Sequence, residues 1–205
     1  MFEDRDDAAR QLAAALAPLG LSHPLVLAIP RGAVPMAAHI AAALRGELDV
    51  VLVRKLGAPG NPEFAVGAVD EHGEMLLTPA AARLPDVYLE QARDEALQTL
   101  EARRERYTPG RAPSAPAGRE VVVVDDGVAT GATMVAALRA VARQEPARLV
   151  AAVPVGSPDA LALIAAEADT VVCLQQPADF YAVGQYYRHF PQVDDAQVQA
   201  CLQSR

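Results

Sequence analysis

The run VVVVDDGVATGATM (residues 121–134) sets two adjacent carboxylates, Asp125 and Asp126, at the end of four consecutive valines. A loop of small residues and threonines follows at once. Carboxylates side by side at the mouth of a buried strand repel each other unless hydrogen-bond donors or a cation compensate. A sugar diol supplies such donors, and a magnesium ion can bridge the rest. Downstream, Met134, Leu138 and Val141 recur at helical spacing. The unit therefore reads as strand, tight loop and helix, not as a hairpin turning on Asp126-Gly127. Backbone N–H groups in the first turn of such a helix have no partner within it, and the helix dipole favours an anion there. Ala129, Gly131 and Ala132 let a phosphate approach the backbone, while Thr130 and Thr133 add hydroxyl donors. A diol clamp followed by a phosphate cradle describes a site for a ribose 5-phosphate. The loop contains no lysine, so it is not a Walker loop, and it lacks the G-x-G-x-x-G spacing.

The elements that carry these residues alternate along the chain. The spacing predicts a helix over 7–17, stopped by Gly20, then a buried strand LVLAI (25–29) and a helix over 35–45. A second buried strand, DVVLV, spans 49–53, and strands 64–69 and 74–78 flank Asp70-Glu71-His72-Gly73 as a hairpin or flap. A long charged helix covers 86–107, with Leu89, Ala92, Ala96, Leu100 and Tyr107 near one face and Asp86 as its N-cap. The Pro/Ala/Gly stretch 108–119 reads as an exposed, mobile loop. Strand 120–124, helix 131–143, strand 148–153, helix 158–167 and strand 170–174 follow, and a tail from Pro177 holds most of the aromatics. Uninterrupted apolar strands alternating with helices mark an α/β fold with a parallel sheet covered on both faces. Ligands of such sheets bind at the carboxyl ends of the strands. With no internal repeat or linker, the 205 residues read as one domain, with a core over about 21–176 and a tail over 177–205.

Composition narrows the function classes. A formal charge of −8 and a pI near 5.0 argue against a nucleic-acid partner. No apolar run reaches the roughly 18–20 residues a membrane span needs, and the acidic start MFEDRDDAAR lacks a signal peptide's apolar region. The cytoplasm is the expected compartment. Cys173 and Cys201 read as buried free thiols. His23, His39, His72 and His189 have no metal-ligand spacing and read as structural or surface residues. Lys55 is the sole lysine, against 17 arginines.

The 121–134 run resembles the 5-phosphoribosyl-1-pyrophosphate (PRPP) signature of the type I phosphoribosyltransferases, in which four apolar residues, two acids and a Thr-Gly loop occur in this order. The resemblance implies that family's Rossmann-like fold, with a flap after the second strand and a hood built from the terminal segments. It also implies that Asp125 and Asp126 hold the ribose hydroxyls, and Mg2+ indirectly through ribose or water, while 129–133 wrap the 5-phosphate. IPRGAVP (29–35) sits where the family places its pyrophosphate loop, which makes Arg31 and Gly32 candidates. VRKLGAPGNPE (53–63) is similar to the Arg-Lys segment that opens the catalytic loop, which adds Arg54 and Lys55. The implied activity is transfer of phosphoribosyl from PRPP to a nitrogenous acceptor, by a homodimer that uses Mg2+, with Arg54, Lys55 and Asp126 as catalytic residues. Val128, Phe180, Tyr181 and Tyr187 are candidates for the acceptor side, the tail aromatics either stacking on a base or packing across the sheet edge.

The three segments look most like those of the adenine enzyme. The chain departs elsewhere: about forty residues (79–118) separate the flap from the PRPP strand, and Ala129 stands where 6-oxopurine enzymes carry a third acid. The ends, FEDRDDA and DFYAVGQYYRHFPQVDDAQV, are similar to those of predicted phosphoribosyltransferases of unestablished substrate. A PRPP-binding regulator with little catalysis is the alternative, and an unrelated sugar-phosphate enzyme a third.

Overall fold

The four valines of 121–124 lie at the centre of a five-stranded parallel sheet. The computed structural model describes residues 1–203, apart from the side chains of Pro62 and Glu63. Helix α1 (Arg5–Leu16) leads into β1 (Leu25–Ala28), α2 (Ala33–Leu44) and β2 (Glu47–Val50). Three further strands follow, β3 (Val53–Ala58), β4 (Asn61–Asp70) and β5 (Met75–Leu77), and then α3 (Asp86–Tyr107). The chain continues through β6 (Glu120–Val124), α4 (Ala132–Ala142), β7 (Arg148–Val155), α5 (Pro158–Ala165), β8 (Thr170–Gln175) and α6 (Asp195–Gln203). The parallel sheet has the order β2-β1-β6-β7-β8. Alternate residues of β6 point to opposite faces. Val122 and Val124 join one hydrophobic cluster with α1, α2 and α6, and Val121 and Val123 join another with α4 and α5. Burial on both faces is why the strand reads as an unbroken valine run.

From β1 the chain moves outward to β2, then resumes at β6 on the other side of β1. The strand order thus reverses between β1 and β6, whose carboxyl ends form the crevice where such sheets bind ligands. Ala28 pairs with Val124, so the loops after both strands start level.

The expected strand 49–53 is two strands in two sheets. Val51 N–H donates to the Ala28 carbonyl at 3.0 Å as the last ladder bond of the parallel sheet, and Val53 opens the antiparallel sheet β3-β4-β5. Val51 and Leu52 stay buried across the change, so hydropathy does not register it. The expected hairpin at 70–73 is present between β4 and β5.

Helix α3 buries Leu89, Ala96, Leu100 and Tyr107, as its spacing predicts. Its N-cap is Pro85, not Asp86; Asp86 is the first helical residue, where its charge still suits the dipole. The 108–119 stretch is anchored, contrary to the mobile loop its Pro/Ala/Gly composition predicts. Ser114 N–H donates to Asp49 Oδ2 at 2.9 Å, Arg111 reaches Asp49 Oδ1 at 3.0 Å, and Ser114 Oγ donates to Glu47 at 2.6 Å. Asp49, fully buried on β2, also pairs with Arg104 of α3 at 2.8 Å, and Arg104 continues to Glu71 in the β4–β5 turn. Burial opposes the Asp49 charge, but Arg104, the Ser114 and Val50 N–H groups and Arg111 outweigh it and hold the carboxyl below its usual range.

Helix α6 is absent from the periodicity reading. Its signal is a capping box: Asp194 accepts from Gln197 N–H at 2.8 Å and Gln197 Oε1 accepts from Asp194 N–H at 3.0 Å. Both cysteines are half-buried and free. Among the described residues, no helix is long and apolar enough to cross a membrane.

Candidate active site

Where β6 ends, the backbone first turns the two acids in different directions. Asp125 N–H donates to the Ala152 carbonyl on β7, and Asp125 Oδ1 accepts from Asp126 N–H at 2.9 Å. Enclosure of its carboxyl and the Asp126 charge beside it push the Asp125 pKa well above the usual carboxylate range. The compensation that the sequence demands for this pair is a cation from the N-terminal helix. Arg5, in the first turn of α1, donates to Asp126 Oδ2 from Nε at 3.0 Å and from Nη2 at 2.8 Å. Its Nη1 reaches the Pro191 carbonyl at 2.6 Å, and its guanidinium lies 3.8 Å from the centre of the Phe190 ring. Asp126 Oδ1 stands outside the Arg5 pair. Sequence reading missed Arg5; the only hint was the need for a counter-charge at an acidic pair.

The loop after β1 closes against the same carboxylate. A Cβ on Gly32 would lie 1.9 Å from Asp126 Oδ2, so this contact requires glycine. The Pro30–Arg31 peptide preceding it is cis. Arg31 itself is exposed and turns toward Asp195 at the start of α6, at 3.7 Å.

Beyond the acids, the chain is tied to the loop after β7. Val128 bridges to Gly156, its N–H donates to the Val155 carbonyl at 3.0 Å, and Ser157 Oγ donates to the Ala129 carbonyl at 2.7 Å. Gly131 adopts φ 74° as the N-cap of α4, a left-handed conformation that suits glycine. Ala129, Thr130 and Ala132 are exposed. Thr130, Gly131, Ala132 and Thr133 thus surround the N-terminus of α4.

The remaining candidates divide. Arg54 and Lys55 are successive residues of β3 and stand on opposite faces. Arg54 lines a cavity of about 400 Å³ against α3, with Tyr88 and Glu95. Lys55 lines an apolar cavity of about 250 Å³ under the flap, shared with Ala132 and Arg139 of α4. Lys55 also lines the cavity against α3, so it borders both cavities, whereas Arg54 borders only the one against α3. Val128 is buried in the core beneath α4 and α5. Tyr187 is also buried, tilted against Phe2 and stacked on Phe190, and its hydroxyl donates to the Asp126 carbonyl at 2.6 Å. Burial, then the Asp126 charge, raises its pKa. Phe180 stacks on Tyr186, and Tyr181 is 87% exposed. The terminal segments meet over this end of the sheet: Phe2 N–H donates to the Tyr186 carbonyl at 2.7 Å and Arg188 N–H to the Phe2 carbonyl at 2.9 Å.

Among the described residues, no group of three or more His, Cys, Asp or Glu side chains could hold a metal ion. With Asp126 Oδ2 committed to Arg5 and the Asp125 pKa raised, the acids suit a Mg2+ that brings most of its own oxygen ligands, as phosphate-bound Mg2+ does.

Comparison with known proteins gives this geometry its context. The chain is 53% identical to TT1426 from Thermus thermophilus, whose crystal structure superposes with a TM-score of 0.89 over 98% of this chain and 97% of that one. A hypothetical protein from Neisseria gonorrhoeae, solved with bound ppGpp, shares the fold at 14% identity and a TM-score of 0.51, over 100% of this chain and 98% of that one. Two curated relatives from Mycobacterium tuberculosis (strains CDC 1551 and H37Rv), each named "Putative phosphoribosyl transferase", are 44% identical over 98% of the chain. The chain spans 46% of the length of those relatives. A family model, the phosphoribosyl transferase domain, matches residues 3–190. An acidic pair, a phosphate-type loop and a glycine loop at one sheet crevice, within a chain matched almost end to end, place this protein in the phosphoribosyl transferase family.

Proposed function

We propose that the protein transfers the 5-phosphoribosyl group of PRPP to a nitrogenous, nucleobase-like acceptor and releases pyrophosphate. One observation carries the reading: the Asp125–Asp126 pair, the small-residue N-terminus of α4 and the Gly32 loop converge at the β1/β6 switch point. The 5-phosphate sits in the 129–133 loop on backbone N–H groups and the Thr130 and Thr133 hydroxyls. The ribose hydroxyls meet Asp126 Oδ1 and Asp125. In the transfer, a nitrogen lone pair forms a bond to C1 while the C1–O bond to pyrophosphate breaks, the bonding electrons leaving with pyrophosphate. The acceptor's N–H proton passes to water.

Charge develops on the leaving group, so fixed cations that meet it act mainly in the transition state. Arg31, at the carboxyl end of β1, and Lys55, under the flap, fill that role by position; Arg54 fills it only with a change in the flap. Mg2+ would be held by the substrate's oxygens and, through ribose or water, by Asp125 and Asp126. When bound, it supplies further neutralisation of the pyrophosphate. Most of the protein's own contribution is positioning, a source of rate enhancement worth up to about 7–11 kcal/mol in well-oriented systems.

The test is a pyrophosphate-release screen with PRPP, Mg2+ and a panel of nitrogenous acceptors. Release with at least one acceptor supports the transferase. Tight PRPP binding with no release from any of them supports a PRPP-binding regulator instead.

A further inference from the structure

Between the loop after β1 and the helices α3 and α6 lies a cavity of about 260 Å³, lined by Pro30, Arg31, Arg103, Arg106, Tyr107 and Asp195. Three guanidinium groups share it with one carboxylate, in a chain whose formal charge is −8. Asp195 is already engaged: Arg106 Nη1 donates to it at 2.6 Å, the Tyr107 hydroxyl at 3.0 Å, and Arg31 approaches only to 3.7 Å. Arg103 makes no hydrogen bond or ion pair with any described residue. With Arg31 given to the pyrophosphate, Arg103 and Arg106 still outnumber Asp195 by one charge, which favours an anion in a concave site. Arginine forks match carboxylate and phosphate oxygens in a way that ammonium groups do not.

Position and size limit what that anion is. Arg31 belongs to the carboxyl end of β1, and its neighbour Gly32 touches Asp126 Oδ2, so the cavity adjoins the ribose clamp. Whole-ligand pockets usually measure about 300–1,000 Å³; at about 260 Å³ this one suits a charged substituent on a small ring. Meanwhile Tyr187 is enclosed by Phe2 and Phe190, Phe190 lies against Arg5, and Phe180 is stacked on Tyr186. The terminal hood spends these rings on its own packing. The insertion helix α3 brings charge to the same end of the sheet.

We propose that this cavity is an oxyanion site for the second substrate, and that the acceptor is a nitrogenous compound bearing a carboxylate or phosphate held by Arg103 and Arg106. The proposal rests on the phosphoribosyltransferase reading. It gives the long insertion 79–118 a role, as the element that supplies two of the three arginines.

The test uses the full chain saturated with PRPP and Mg2+. Phenylglyoxal modification of each arginine is followed by peptide mass spectrometry, alone and with millimolar inorganic phosphate or benzoate. PRPP alone should leave Arg103 reactive, and one of the two anions should slow its modification about tenfold; which one does so separates a phosphate from a carboxylate. Matched pairs, such as nicotinamide and nicotinate or uracil and its 6-carboxylate, then enter the pyrophosphate-release assay. The charged member should have the higher kcat/KM by at least about tenfold, and Arg103→Gln should raise its KM while leaving the KM for PRPP unchanged. Arg103→Gln leaves the Asp195 contacts in place, so the result does not depend on a disrupted fold. Protection of Arg103 by PRPP alone, protection by neither anion, or preference for the uncharged member overturns the proposal. A wild-type chain that shows no PRPP binding by calorimetry refutes the transferase reading itself, a failure the Arg103 protection data keep separate.

Discussion

Replacing Arg5 by alanine removes the one cation that, among the described residues, pairs with the acidic pair. The pair it makes with Asp126 is neither a surface bridge nor fully enclosed, with side chains 11% and 17% exposed. Breaking a buried pair by deleting one partner costs about 3–5 kcal/mol, because a charge is left enclosed without compensation. The residual exposure places Arg5→Ala near the lower end, at about 3 kcal/mol, with the contacts to Pro191 and Phe190 included in that loss. For a chain of this length each kcal/mol shifts Tm by about 2–4 °C, so thermal denaturation should show a fall of roughly 6–12 °C. Asp126→Asn in the same background should recover part of the loss, and the double-mutant cycle should give a coupling of about 1.5–3 kcal/mol. Arg5→Lys should recover little, since one ammonium cannot reach Asp126 Oδ2 through two donors and the Pro191 carbonyl together. A Tm within about 2 °C of wild type, with coupling near zero, would refute the assignment of Arg5 as the counter-charge of the site.

Asp125→Asn should stabilise the protein, and more so at higher pH. The Asp125 pKa is raised by enclosure and by Asp126, so stability from its neutral form is complete below the unfolded-state pKa and is lost as pH rises through the folded one. The Tm gain of the variant should therefore be larger at pH 8 than at pH 4, and a gain that does not vary with pH would contradict the coupled-pair account. Gly32→Ala puts a methyl 1.9 Å from Asp126 Oδ2 and must displace the carboxylate; calorimetry should show at least about a tenfold loss of PRPP affinity, a figure set by one charge-assisted hydrogen bond. Lys55, as the sole lysine, shares amine-selective labelling only with the N-terminus. PRPP with Mg2+ should slow its reaction, and equal rates with and without PRPP would make it a solvated surface cation.

The sheet was legible because β1, β6 and β7 are buried on both faces, which leaves long apolar runs between turn residues. The phosphate loop was legible because small residues, threonines and a helical period coincide within a few positions. The break at Val51–Val53 was not, since burial continues through it while the pairing partner changes. Nor was the anchoring of 108–119, which depends on two carboxylates of β2, Asp49 and Glu47, drawing donors from sixty or more residues away. Arg5 and Arg103 share that difficulty: each acts at a site assembled from distant segments, and an exposed-looking arginine in a sequence carries no mark of what it will face. Tyr187 shows the converse. Its aromatic spacing fitted a stacking platform and a packed edge equally, and in the fold both neighbours of its ring are the protein's own.

The central claim is that the acidic pair and the loop after it form a PRPP site, and a calorimetric titration of PRPP with Mg2+ into wild type and Asp126→Asn tests it most directly. The account predicts saturable binding to wild type and, in the variant, a loss of about 1.5–3 kcal/mol, roughly 10- to 150-fold in Kd, for the missing charge-assisted hydrogen bond. The variant should still unfold in a single cooperative thermal transition, at a Tm lowered by loss of the Arg5 pair. Binding of equal strength in both proteins, or none in wild type, would contradict the assignment.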